Sequence, residues 1–176
     1  MGKENKIILR SLKVKDAELM LEWMHDESVV THLYADFLNK TLSDCIEFIT
    51  LSGNDKTNLN LAITDSSDEY LGTVSLKHID YEKQAAEFAI CIRKKAMGKG
   101  IAIEAMQKIF KIAYERGIIN IYWCVNRENK RAIKFYMKNG FMQSEKKTYM
   151  RSPYCSSDLL WFEYCLQFRI DKNSSY

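Results

Sequence analysis

The spacing of apolar positions changes period several times along the chain, and each change marks an element. Residues 6–12, KIILRSL, form a short β-rich run that predicts a first strand. Leu19, Met20, Trp23 and Met24 then recur at helical spacing, with Asp16 where an N-cap belongs. They predict a helix ending near His25, followed by a second short helix. TLSDCIEFITLS predicts a third helix, with Thr41 as N-cap and Gly53 at the C-cap position. Alternation returns in NLNLAITD, YLGTVSLKHID and AAEFAICIR. Being close in sequence, these three runs predict an antiparallel meander.

IAIEAMQKIFKIAYERG, residues 101–117, repeats Ile101, Ala105, Ile109 and Ile112 or Ala113 on one face and closes at Gly117. IINIYWCVN is apolar on both faces, which predicts a central strand. ENKRAIKFYMKNG predicts a helix stopped by Asn139 and Gly140. FMQSEKKTYMR and DLLWFEYCLQF predict two last strands in a hairpin around SPYCSS, before a frayed DKNSSY end. The order β-α-α-α-β-β-β-α-β-α-β-β describes an α+β fold. It has a mixed, mostly antiparallel sheet of about seven strands with helices on both faces.

Composition narrows the class. A chain of 176 residues with 47% hydrophobic and 12% aromatic residues suits one folded domain over 1–176. One proline and seven glycines leave no room for a long flexible linker. The net charge of +3 is mild, and nucleic acid is not the expected partner. Five cysteines without a CxxC pair predict neither a disulfide framework nor a zinc site, and no metal is expected. No apolar run approaches the roughly 18 residues of a membrane span, and the N-terminus carries no signal-peptide pattern. The expected setting is cytoplasmic, without a membrane partner.

One stretch carries chemistry on its own: IRKKAMGKGIAIEAM, residues 92–106. A strand, a turn with two glycines and a helix form an arrangement that can hold an anion. The first helical N–H groups lack partners, the peptide dipoles add positive charge, and glycine lets an oxygen approach the backbone. Arg93, Lys94, Lys95 and Lys99 add charge nearby. The place of the third glycine in a GxGxxG dinucleotide fingerprint holds Ile103, and the Walker pattern is absent. A glycine-tolerant helix start with a solvated basic turn fits the same letters.

KAMGKGIA resembles the acyl-CoA pyrophosphate loop of the GCN5-related N-acetyltransferase (GNAT) superfamily, pattern Q/R-x-x-G-x-G/A. Lys95 stands in the Q/R place and Gly98 and Gly100 in the glycine places. VNRENKRAIKFYMKNGF resembles the family's later motif through Asn129, Ala132, Tyr136, Gly140 and Phe141. The N-terminal ILRSLKVKDAELMLEWMHDESVV resembles the subgroup of ribosomal-protein-alanine, spermidine and amino-sugar acetyltransferases. The resemblance spans nearly all of the chain and implies a GNAT-like fold with acetyl-CoA as cosubstrate. It implies pantetheine bonded to backbone near Ile90, Cys91 and Ile92, and phosphates reaching Met97, Gly98, Lys99, Gly100, Ile101 and Ala102. Asn129 or Asn126 would orient the cofactor amide, beside Ala132.

The implied reaction is direct acetyl transfer to an amine. Tyr136 is the candidate general acid for the departing thiolate, with a packed core tyrosine as the competing reading. Two residues compete as base: Glu87 as a partly buried carboxylate, and His78 for its ordinary pKa. Asp26 or Glu27 could meet the acceptor amine, with His25 and His32 on the same segment. Trp23, Tyr34, Phe37, Tyr149, Tyr154 and Trp161 could line its pocket, although most suit a core. The expected acceptor is a small-molecule primary amine, an amino sugar or polyamine. The alternatives are a protein N-terminal or side-chain amine, or a non-catalytic acyl-CoA-binding domain. A homodimer is the candidate assembly.

Overall fold

The computed structural model describes residues 7–147, 150 and 158–166, and within them strands and helices follow the expected order. The strands are β1 (Ile8–Ser11), β2 (Leu59–Thr64), β3 (Tyr70–Asp80), β4 (Ala85–Ile92), β5 (Asn120–Asn126), β6 (Met142–Ser144) and β7 (Leu159–Cys165). The helices are α1 (Ala17–Met24), α2 (Glu27–Val30), α3 (Leu42–Ser52), α4 (Ile101–Glu115) and α5 (Lys130–Lys138). The expected hairpin loop around 152–157 and the DKNSSY end lie outside the described residues. Tyr149 and Tyr154 lie outside them too.

The seven strands form one sheet in the order β1-β2-β3-β4-β5-β7-β6. β1 runs antiparallel to β2, and β7 runs antiparallel to both β5 and β6. β4 and β5 are the parallel pair. The double-sided apolar run of β5 does mark an interior strand, because β4 and β7 flank it.

Local chemistry explains the helix boundaries. Thr41 and Asp44 form a capping box at the start of α3, where Thr41 Oγ1 accepts from the Asp44 N–H and the Asp44 carboxylate accepts from the Thr41 N–H. Gly53 does occupy the C-cap, but at φ −66°, which any residue adopts. Asp16 departs from its expected role as a side-chain cap of α1. Its carboxylate accepts instead from the N–H of Lys13, the N-cap of the 3-10 turn Val14–Asp16, and from Arg10 Nη1 and Nη2.

The chain folds into two compact units. The first holds the chain up to Ser75 together with Ile90–Ile109. Its core joins Met20, Trp23 and Met24 of α1 to Cys45 and Ile49 of α3, with Ala62 and Tyr70 from the sheet. At Gly72 a Cβ would lie 2.3 Å from the Cys91 carbonyl oxygen, so only glycine permits the backbone approach that seats this end of β4.

The second unit holds Leu76–Ala89 and the chain from Phe110. Its core is aromatic. Trp123 stacks on Phe162 at 5.6 Å and 4° and meets Phe88, Phe141 and Tyr136 at centroid distances of 5.6, 5.3 and 5.1 Å.

Candidate active site

In the first unit the chain leaves β4 through a 3-10 turn, Lys94–Ala96, and enters α4 across Met97, Gly98, Lys99 and Gly100. Both glycines adopt φ +76°, the left-handed region that a side chain resists. A Cβ at either position would meet nothing within 4 Å, so the glycines answer a backbone requirement and not a steric one. Gly98, Lys99 and Gly100 are exposed, Met97 is half-buried against the core, and Ile101 is buried at the first turn of α4. Open space in front of a positive-φ turn, backing onto a 15-residue helix, fits a pyrophosphate. The backbone amides from Gly98 to Ala102 would hold it, because the Met97 N–H, also expected to serve, already donates to the Lys94 carbonyl at 3.2 Å.

Arg93, Lys94 and Lys95, three of the four basic side chains around this loop, serve other partners. Arg93 is only 3% exposed. It donates from Nε and Nη2 to Glu22 at 3.0 and 2.6 Å, and from Nη1 to Glu69 and to the Tyr70 carbonyl at 2.9 Å each. Lys95, in the Q/R place, pairs with Glu69, and Lys94 lies 3.8 Å from Asp26. Arg93 therefore braces the loop from beneath. Nothing in a basic cluster of letters distinguishes a buried strut from a ligand-facing cation.

β4 ends where a strand-like ligand could add. Its ladder with β5 runs Ala85↔Asn120, Ala86↔Ile121 and Glu87↔Tyr122, and Ala89, Ile90 and Cys91 beyond it are half-buried, with Ile92 buried.

In the second unit Tyr136, on α5, is 7% exposed. Its ring packs against Trp123, Phe162 and Phe135 at 5.1, 5.3 and 5.2 Å. Burial, with a smaller contribution from Cys124, pushes its phenol well above the usual tyrosine range. Tyr136 is thus held protonated at neutral pH, as a proton donor must be. The core reading of this residue and the acid reading describe the same buried ring. Cys124, next to Trp123 on β5, packs with Tyr122 and Trp161 on the other face and acts on Tyr136 only electrostatically.

Glu87 has a side chain 13% exposed and a buried Oε2 with no hydrogen-bond partner among the described residues. His78 Nε2 stands 3.6 Å from that oxygen. The two candidate bases are therefore neighbours. Burial raises the Glu87 pKa, opposed by Lys77. Because the folded-state pKa lies above the unfolded one, the unfolded chain gives up this proton first as pH rises. The group's contribution to stability is then greatest at low pH and falls as pH climbs from the ordinary carboxylate range through the raised value. Glu87→Gln is expected to raise Tm at pH 8 by roughly 2–4 °C and to leave it nearly unchanged near pH 4. Calorimetry across that range measures it.

Glu87 and Tyr136 approach the sheet from opposite sides. Glu87 is in register with Tyr122, whereas Tyr136 packs on the next residue, Trp123, and successive strand residues face opposite ways.

Asn129 caps α5, its Oδ1 accepting from the Ala132 N–H at 3.1 Å, and Asn126 Oδ1 accepts from the Glu128 N–H at 2.8 Å. These oxygens shape the turn. Of the residues on the N-terminal segment, His25 Nε2 is engaged with the Lys40 carbonyl at 2.8 Å, and the Trp23 indole N–H donates to the buried Tyr70 hydroxyl. Trp23 and Trp161 belong to cores. Among the described residues no group of His, Cys, Asp and Glu could hold a metal ion, and no helix is long and apolar enough to cross a membrane.

A family model described as "Acetyltransferase (GNAT) domain" matches residues 6–142. The chain is 27% identical over 151 residues to an uncharacterized N-acetyltransferase, p20, of Bacillus licheniformis, across 81% of this chain and 85% of that protein. It is 33% identical over 84 residues to spermidine N(1)-acetyltransferase of Escherichia coli strain K12, across 45% and 43% of the two chains. A similar solved structure is spermidine N-acetyltransferase from Vibrio cholerae in complex with CoA and spermine. It has TM-score 0.77 and 19% identity, and the match covers 92% of this chain and 96% of that one. Spermidine N-acetyltransferase from Vibrio cholerae in a dodecameric structure matches at TM-score 0.71 and 19% identity, across 94% and 97%.

Proposed function

The chain belongs to the GNAT acetyltransferase family and is an N-acetyltransferase, and from that premise we propose that it transfers an acetyl group from acetyl-CoA to a primary amine of a polyamine. The observation that carries the acceptor class is a cavity of about 280 Å³ in the first unit, lined among others by Glu27, Val30, Thr31, Leu33, Asp36 and Phe37. Two carboxylates beside an aromatic ring suit a flexible polycation, which they attract by charge and by cation–π contact. Asp36 is held in place by Asn39, whose Nδ2 donates to both carboxylate oxygens at 3.0 and 2.9 Å. The spermidine acetyltransferases among its relatives support the same reading.

Acetyl-CoA supplies the thioester. The first unit supplies the loop amides for its phosphates and the Ile90–Ile92 end of β4 for its arm, and the second unit supplies two proton groups. An ammonium cannot attack, so Glu87 takes a proton from the acceptor. The amine nitrogen then forms its bond to the acetyl carbon, the carbon–sulfur bond breaks, Tyr136 gives a proton to the departing sulfur, and the second N–H proton leaves the acetylated nitrogen to restore the phenol. A non-catalytic acyl-CoA-binding domain would need no acid at Tyr136. An assembly of several copies is proposed by analogy with the dodecameric structure.

The test is free-thiol release with acetyl-CoA against spermidine, spermine, glucosamine and an alanine-initiated peptide. We expect kcat/KM for spermidine or spermine to exceed that of the other acceptors by about tenfold or more, the scale of about 1.4 kcal/mol. Turnover confined to the sugar or to the peptide would overturn the acceptor class. Thiol release with none of them would overturn the activity toward these amines.

A further inference from the structure

Glu87 lies mostly out of water, and a proton it accepts has to leave again. Acetylating an ammonium releases two N–H protons. One ends on the coenzyme A sulfur, and the other must reach solvent in every cycle. Glu87 offers that proton little direct access to water, because its side chain is 13% exposed and its Oε2 is fully covered. His78 is the group that spans the gap. Its side chain is 41% exposed, and its Nε2 stands 3.6 Å from Glu87 Oε2. That separation lies just beyond a direct hydrogen bond and within reach of one after a slight side-chain movement.

The backbone at His78 is unusual as well. His78 adopts φ +50° within β3, a state uncommon for a residue with a side chain. A strand interior offers many cheaper conformations, so the surrounding structure imposes this one. Histidine is also a side chain whose ordinary pKa lets it both take and release a proton near neutrality.

On these grounds we infer that His78 is the positioning residue of Glu87, orienting the buried carboxylate and handing the proton it accepts to solvent. The inference rests on the proposed acetyl transfer, with Glu87 as base. The proton balance closes. Glu87 carboxylate takes H⁺ from the ammonium, the neutral His78 imidazole takes it from the carboxylic acid, and the imidazolium releases it to water. The charged groups near the pair are Lys77, beside His78 on β3, and Glu163. Glu163 shares a cross-strand row with Glu87 through Tyr122 and is bridged to Lys147.

His78→Gly is the informative variant because φ +50° favours glycine, so the fold should be retained with Tm at or above the native value. We expect kcat to fall about tenfold or more with KM for acetyl-CoA nearly unchanged, and added imidazole to restore most of the loss. A native kcat, or a loss that imidazole does not relieve, would overturn the inference. A second measurement needs no turnover: the His78 imidazole titration followed by NMR in the native protein and in Glu87→Gln. It should move toward lower pH when the carboxylate is replaced. No movement would overturn the pairing even if no acceptor amine is ever found. Thiol release by the native enzyme together with an unaffected His78→Gly would remove this inference alone and leave the acetyl transfer standing.

Discussion

Tyr136→Phe is expected to lower kcat by roughly 10²–10³-fold while acetyl-CoA binding stays within about threefold, the range that general acid–base catalysis supplies. The substitution isolates the hydroxyl. The ring contacts with Trp123, Phe162, Phe135 and Phe141 are made by carbon atoms that phenylalanine keeps. The fold should therefore tolerate the change, and removing a polar atom from a buried ring should leave Tm within about 2 °C. Burial, helped by Cys124, keeps the phenol protonated well into the alkaline range. The native kcat should accordingly show no alkaline limb from Tyr136 below about pH 10, the ordinary tyrosine value. Steady-state thiol release gives kcat and KM, and titration calorimetry with acetyl-CoA separates binding from turnover. A Tyr136→Phe enzyme with native kcat would assign the hydroxyl no part in the reaction and leave Tyr136 as a core aromatic.

The elements of this fold were legible where period and punctuation agreed. β5 reads as interior because Ile121, Tyr122, Trp123 and Val125 leave no polar face, and α3 is bracketed by a Thr41–Asp44 box that local sequence alone can specify. Tertiary demands overrode local rules at Asp16. In sequence it is a helix cap, but three donors from Lys13 and Arg10 claim its carboxylate, and no spacing rule weighs Arg10 against an N-terminus. The site divided along the same line. Gly98 and Gly100 declare a backbone state that only glycine accepts readily, and backbone states leave letters behind. Side-chain allegiances do not. The letters of Arg93 and Lys95 suit ligand charges, yet Glu22 and Glu69 lie beneath them and take both up. His78 and Glu87 read as rivals for one role because they are nine positions apart, and only the turn from β3 into β4 makes them partners.

If the loop works through its amides, Gly98→Ala and Gly100→Ala will each weaken acetyl-CoA binding far more than Lys99→Ala does. Both glycines sit at φ +76° with free space where a Cβ would go, so alanine meets no clash. What it meets is a backbone penalty of about 1 kcal/mol, which either lowers Tm by a few degrees or is relieved by turning the peptide away from φ > 0. Turning the peptide redirects the N–H groups on either side of it. A hydrogen bond to a charged oxygen contributes about 1.5–3 kcal/mol, so one lost bond predicts a Kd higher by roughly 10- to 100-fold. Lys99 is exposed, and among the described residues no ion pair is found for it. An exposed charge of this kind contributes about 1 kcal/mol or less, and Lys99→Ala should raise Kd less than about fivefold. The comparison also predicts a shallow salt dependence. Surface charge is screened over about 8–10 Å at physiological ionic strength, whereas amides aimed at a phosphate lose little. Titration calorimetry of the three variants at two salt concentrations decides the matter. A Lys99→Ala defect larger than that of Gly98→Ala, growing as salt is lowered, would move the anchor from the backbone to the side-chain charges.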